Sequence, residues 1–174
     1  MLKLITKITA AIAVVSIALF GSANAKTLKI ETHFTASSPN GEVAAQFAKN
    51  VETFSGGSLK VEMFYSSSVT GKSAEVFNSA QTGIIDCDMT GAGYQTGKNA
   101  AFQFAGDVMG GYDNPYQQYD FLKFPGAQDA VDALYNKYGM TLIGWWIPGH
   151  ESLISSKPIP DVASIKDFKF RSPP

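Results

Sequence analysis

Residues 28–34, Leu28-Lys29-Ile30-Glu31-Thr32-His33-Phe34, alternate apolar with polar or charged side chains, the two-residue period of a β-strand. The stretch after it, Thr35 to Gly41, gathers Ser37, Ser38, Pro39, Asn40 and Gly41 into a loop that leads to a helix start. From Glu42 the apolar residues Val43, Ala44, Phe47, Val51 and Phe54 recur at helical spacing, and Ser55-Gly56-Gly57 stops the helix. Leu59 to Phe64 alternates again, giving a second strand, and the polar loop 65–71 follows. Residues 72–81 read as a helix through Ala74, Val76, Phe77 and Ala80, with Thr82-Gly83 ending it before a third strand at Ile84 to Met89. Strand, helix, strand, helix, strand predicts parallel strands joined by right-handed crossovers, with helices covering the sheet. The fold class is α/β.

Past Thr90 the chain turns glycine-rich, with Gly91, Gly93, Gly97, Gly106, Gly110 and Gly111. Open α/β sheets bind ligands in loops at the carboxyl ends of parallel strands, so this segment stands where a ligand is expected. Two helices are predicted at 114–123 and 128–138, then a mostly buried strand at 140–146 ending in Trp145-Trp146. Ile147-Pro148-Gly149-His150 breaks that strand. A further strand is predicted from Glu151 to Ser155, a linker at 157–161, a short helical turn at 162–167 and a last alternating strand at 168–171. A strand with no helix after it predicts an incomplete fold.

Upstream, Lys3 and Lys7 precede an uncharged run of 13 residues from Ile8 to Phe20, and Gly21-Ser22-Ala23-Asn24-Ala25 ends in small residues. A positive start, a short apolar core and an Ala-x-Ala site predict a secretory signal peptide over 1–25; the run is shorter than the roughly 20 residues of a spanning helix. The 26–174 remainder is long enough for one domain with its own core. Across 174 residues, 14 Lys+Arg against 15 Asp+Glu give a net charge of −1, which offers no basic footprint for nucleic acid or anionic lipid. An apolar content of 45% with 17% charged residues is that of a folding chain. Cys87 alone makes no intramolecular disulfide, and one cysteine with two histidines is too few for a structural zinc cage. No metal or cofactor is predicted.

Catalytic motifs are missing: there is no Gly-x-Ser-x-Gly elbow, His-Glu-x-x-His, Walker loop or strand-linked Gly-x-Gly-x-x-Gly. Asp86 and Asp88, two apart on a predicted strand, share a face and mimic a carboxylate pair, but around Cys87 they read more simply as a strand edge beside a buried thiol. A hydrolase using His150 and Glu151 would lack a nucleophile in any known motif. A module binding another protein through the aromatic segment 102–124 is a third reading.

Five stretches in order carry a family resemblance: the helix Gly41 to Phe54 closing on Ser55-Gly56-Gly57, the strand Leu59 to Phe64, Glu75-Val76-Phe77 leading to Thr82-Gly83 and Asp86, the Gly144-Trp145 strand end, and Ile165-Lys166-Asp167-Phe168-Lys169-Phe170-Arg171. Together the chain resembles the DctP-type solute receptor of tripartite ATP-independent periplasmic (TRAP) transporters, nearest to the 2-oxo acid or monocarboxylate branch. The resemblance implies a two-lobed α/β clamp of about twice this length, of which the chain is the N-terminal lobe with a crossover strand. It implies no enzyme: a periplasmic protein that closes on a small organic acid and delivers it to membrane permease subunits, with a sugar acid or polyol as the runner-up ligand.

The resemblance places Arg171 where the family keeps an arginine that pairs with the ligand carboxylate. A planar guanidinium offers paired donors matched to a carboxylate, so the chemistry also stands on its own. His150 falls where family branches carry a second polar contact, often Arg or Gln; in a keto-acid branch that region helps hold a cation, a pattern from which the histidine departs, with Glu151 a weak substitute. Tyr94 lies in the loop after the third strand, where that branch has a ligand-touching aromatic. Phe34, at the end of the first strand, is either wall or core. Trp145 and Trp146 point to opposite faces of an extended segment, one core and one pocket, with Trp146 nearer the loop.

Overall fold

A computed structural model of the chain describes residues 25–106, 108, 110–147 and 152–171. Three strands form one sheet: β1 (Lys26–Thr32), β2 (Leu59–Phe64) and β3 (Cys87–Met89). Their order is β2-β1-β3 and both pairings are parallel, with Lys26 opposite Leu59 at one end and Thr32 opposite Met89 at the other. The α/β reading therefore holds, with the first-predicted strand at the centre.

α1 (Pro39–Phe54) joins β1 to β2, and a 3-10 turn at Ser73–Glu75 runs into the short α2 (Val76–Gln81) before β3. Ser38 caps α1, its hydroxyl accepting from the Gly41 amide at 3.1 Å while donating to the Thr35 carbonyl at 2.7 Å. Gly41 is glycine for a steric reason: a Cβ there would strike the carbonyl oxygens of Thr35 and Ala36. The first crossover runs outward from β1 to β2 and the second returns from β2 past β1 to β3, so right-handed connections set α1 on one face and α2 on the other.

The main core lies on the α2 face. Phe77, Ala92, Phe102, Ala105, Val131 and Leu134 form it, drawn from α2, two 3-10 turns (Ala92–Gln95 and Ala100–Ala105) and α4 (Pro125–Asn136). α3 (Pro115–Lys123), capped by Asn114, precedes α4. Phe77, Phe102, Tyr135 and Tyr138 pack as rings with centroid separations from 5.2 to 6.0 Å, mostly edge to face, the arrangement their quadrupoles favour.

Several predicted elements take another form. Residues 140–147 take no regular secondary structure and pair with no strand among the described residues, and 152–155 and 168–171 are likewise outside any ladder. The hydrophobic run at 140–146 is satisfied by side-chain burial instead: Met140, Leu142 and Trp145 pack on the core. Alternation selects which side chains are buried, but a ladder also needs a neighbour's free edge at the right height, and β3 offers only three residues. That short β3 also separates Asp86 from Asp88. Asp86 precedes the strand and accepts from the Lys29 amide at 2.8 Å, exposed, whereas Asp88 lies within the sheet. Of the predicted signal peptide, residues 1–24 lie outside the described residues.

Candidate functional site

A central strand flanked by crossovers to opposite faces leaves a crevice at its carboxyl end, because the loops on its two sides diverge. Here that point lies between the ends of β1 and β3. His33 and Phe34 leave β1, Thr90 and Gly91 leave β3, and the turn Ala92–Gln95 carries Tyr94. The His33 ring lies 3.9 Å from Phe34 and meets Tyr94 edge to face at 5.4 Å, and Phe34 meets Trp146 at 4.7 Å. All four rings are half-buried. They form one aromatic wall with faces left open to solvent.

Trp146 reaches the wall because its neighbour is anchored elsewhere. Trp145 packs on the main core and its indole Nε1–H donates to Gln128 Oε1 at 3.1 Å, while the next side chain, Trp146, meets Phe34 instead. The division between the two tryptophans follows from that anchor. Phe34 is held from behind by its backbone, whose carbonyl accepts from the Ser66 amide at 2.9 Å.

Beneath the wall is a layer of polar groups. Glu31, wholly buried, uses Oε1 to accept from the Val69 amide at 2.7 Å and the Thr70 amide at 3.3 Å. Asp88 is its register partner on β3, so the two side chains share a face of the sheet. Glu31 Oε2, Asp88 Oδ1, His33 Nδ1 and Thr90 Oγ1 are buried without a hydrogen-bond partner among the described residues. Burial pushes the Asp88 carboxyl up to about 6, Thr90 working against the shift and the Glu31 charge adding to it. Burial and the Asp88 charge together raise the Tyr135 phenol. Burial lowers His33 from its ordinary 6.5, which favours a neutral imidazole in the wall. Burial first, then Asp86 and Asp88, raises the Cys87 thiol against the pull of Lys26, so it is no activated nucleophile. Among the described residues no three of His, Cys, Asp and Glu converge as a metal site.

Of the residues predicted from sequence, Phe34, Tyr94 and Trp146 are brought together. Arg171 is exposed and outside any strand, with no hydrogen bond or ion pair among the described residues. His150 and Glu151 lie outside the described residues. Ser38, Gln95 and Lys98 have structural roles: the α1 cap, a bond to the Ala74 carbonyl at 3.4 Å, and a cation over the Phe77 ring at 5.6 Å. Sequence reading misses Glu31, since an acid next to isoleucine in an alternating run reads as solvent-facing, and it takes Asp88 for a strand edge. Only the central place of β1 reveals that both its faces are covered.

The family model for bacterial extracellular solute-binding proteins, family 7 (DctP), matches residues 30–174. This chain belongs to that family. A TRAP periplasmic solute-binding protein from Rhodobacter sphaeroides, in an apo open structure, is 28% identical with a TM-score of 0.68, over 84% of this chain and 46% of that one. A TRAP solute-binding protein from Pseudoalteromonas atlantica, solved with bound sodium and pyruvate, is 19% identical with a TM-score of 0.61, over 67% of this chain and 35% of that one. An extracytoplasmic solute receptor from Bordetella pertussis that binds pyroglutamic acid is 21% identical with a TM-score of 0.57, over 68% and 38%. The family-7 chain thus spans less than half the length of these solved structures. No curated protein sequence matches it.

Proposed function

We propose that this family-7 chain is the N-terminal lobe of a periplasmic receptor that binds a small organic anion, a monocarboxylate or 2-oxo acid, and delivers it to an ion-driven TRAP importer. The observation that carries the reading is the half-buried wall of His33, Phe34, Tyr94 and Trp146 at the crevice between β1 and β3. Flat apolar faces with a phenol and a neutral imidazole at their edge suit a small, partly apolar acid. The bound acids of the solved likenesses, pyruvate and pyroglutamic acid, are of this size and charge.

The acid's charge needs a cation that the wall does not hold. Arg171, exposed and without a partner here, supplies a guanidinium once a second lobe closes over the crevice, and excluding water strengthens the paired bonds. His150 adds a second polar contact. The ligand binds the closed clamp better than the open one and shifts the population toward it; no bond is made or broken, so the chain is not an enzyme. Residues 1–25 direct export and are removed, leaving Lys26 as the mature start. No helix among the described residues is long and apolar enough to cross a membrane.

Thermal-shift and calorimetric screening of C2 to C6 organic acids tests the proposal on a two-lobed protein that contains this chain. Saturable stabilisation by a carboxylate, with neutral isosteres inert, is the expected result. Stabilisation by sugars or amines but by no acid would overturn it.

A further inference from the structure

The loop from Ser66 to Gly71 joins β2 to the 3-10 turn before α2 and stands beside the crevice. Its backbone is in an unusual state: Ser66 and Ser67 have φ values of 57° and 51°, two consecutive left-handed residues that carry a Cβ. Left-handed backbone is unfavourable for such residues and persists only where the surroundings over-determine it. The Ser66 amide donates to the Phe34 carbonyl at 2.9 Å and the Ser67 amide to the Thr32 carbonyl at 3.1 Å, so the loop is stitched to the end of β1. Two residues on, the Val69 and Thr70 amides both turn inward onto one acceptor, Glu31 Oε1.

We infer that Glu31 is a positioning residue for the ligand crevice: its buried carboxylate clamps the left-handed 66–71 loop, and the loop in turn sets Phe34 against Trp146. The inference deepens the receptor reading and rests on it for the word ligand. The clamp itself is a feature of this lobe. A carboxylate buried at 0% exposure is costly unless its oxygens are used, and among the described residues only Oε1 has partners, both of them loop amides. A bond to an ionised acceptor is stronger than one between neutral groups, which suits a loop held against its own conformational preference. The hydrogen bonds of Glu31 go to the loop and not to the wall. Its effect reaches Phe34 through the Ser66 amide.

The test compares Glu31→Ala with Glu31→Gln in the full chain, by amide hydrogen exchange and by the ring-current shifts of Phe34 and Trp146. In Glu31→Ala, exchange at Val69 and Thr70 should rise about 10- to 100-fold, the factor that a bond to a charged acceptor represents, while α1 amides change far less. The Phe34 and Trp146 shifts should move toward unstacked values. Glu31→Gln, whose amide oxygen still accepts and whose amide N–H can face the partnerless Asp88 Oδ1, should restore both readouts. If Glu31→Ala does not fold, Ser66→Gly/Ser67→Gly supplies the background, because glycine takes the left-handed backbone without strain and the loop then depends less on its clamp. Uniform acceleration across the whole chain, or ring shifts unmoved in Glu31→Ala, would overturn the inference. In a two-lobed protein, organic-acid affinity should fall in Glu31→Ala and return in Glu31→Gln. Failure of any acid to bind the unmodified protein would sink the receptor reading alone, since the exchange and ring-shift results still decide the clamp.

Discussion

Two clusters of four rings differ in what covers them. Phe77, Phe102, Tyr135 and Tyr138 pack inside, Phe77 at 1% and Phe102 at 0% exposure, under α2, α4 and the 3-10 turns. His33, Phe34, Tyr94 and Trp146 pack at the carboxyl ends of the strands and are only partly covered. The chemistry of the rings is similar; their positions are not. Rings that find partners on every side stabilise the lobe, and rings that find partners on one side keep a face for something else. The polar layer of Glu31 and Asp88 marks the border between the two.

The sharpest way to break this distinction is to truncate one ring from each cluster. Phe102→Ala should cost about 3–5 kcal/mol, transfer plus cavity, measured by urea denaturation. A loss below about 1 kcal/mol, the scale of a surface substitution, would mean the inner cluster is not the core.

Asp88→Asn probes the border and should have the opposite sign. The Asp88 carboxyl is raised from 3.8 to about 6, facing Glu31 on β1, Tyr135 on α4 and its own neighbour Thr90. The folded state holds that proton more tightly than the unfolded state, so stability is fully present below 3.8 and declines as pH rises through about 6. Removing the charge should flatten that decline and stabilise the lobe at pH 7.5 by on the order of 2–3 kcal/mol. Parallel stability profiles for the two proteins between pH 4 and 7.5 would leave Asp88 without this role.

Phe34→Ala opens the outer wall. Stability should drop by only about 1–2 kcal/mol, because the ring is only partly buried. Acid affinity in a two-lobed protein should fall roughly tenfold through loss of ring contact. A fall in stability equal to that of Phe102→Ala, with affinity unchanged, would merge the two clusters into one core.

Arg171→Lys is predicted to be the quietest in stability, within about 0.5 kcal/mol as befits an exposed residue. Its affinity for carboxylates should nonetheless weaken, since lysine loses the planar fork. Unaltered calorimetric affinity would remove Arg171 from the site.

Much of the fold was legible because local rules act locally. Period-2 alternation in 28–34 and 59–64, helical spacing in 42–54 and the cap at Ser38 each concern side chains a few residues apart, and each element formed close to where its pattern lies. An apolar run at 140–146 and alternation at 168–171 both predict strands that do not form, since a ladder depends on a distant edge that no local pattern contains. At the site, Phe34, Tyr94 and Trp146 were named from strand ends and a family resemblance, and they do converge. Glu31 was not, because its neighbours in sequence give it a solvent-facing pattern while its neighbours in space bury it.

From its residues alone, then, this chain declared an α/β lobe of parallel strands with ring-bearing loops at their carboxyl ends, because spacing sets which side chains share a face. The tertiary structure decided which of those faces stay open. It made β1 central, buried Glu31 and Asp88 side by side, sent Trp145 to the core and Trp146 to the wall, and bent the 66–71 loop into a left-handed turn. Burial is a property of what lies opposite a residue, and what lies opposite comes from elsewhere in the chain.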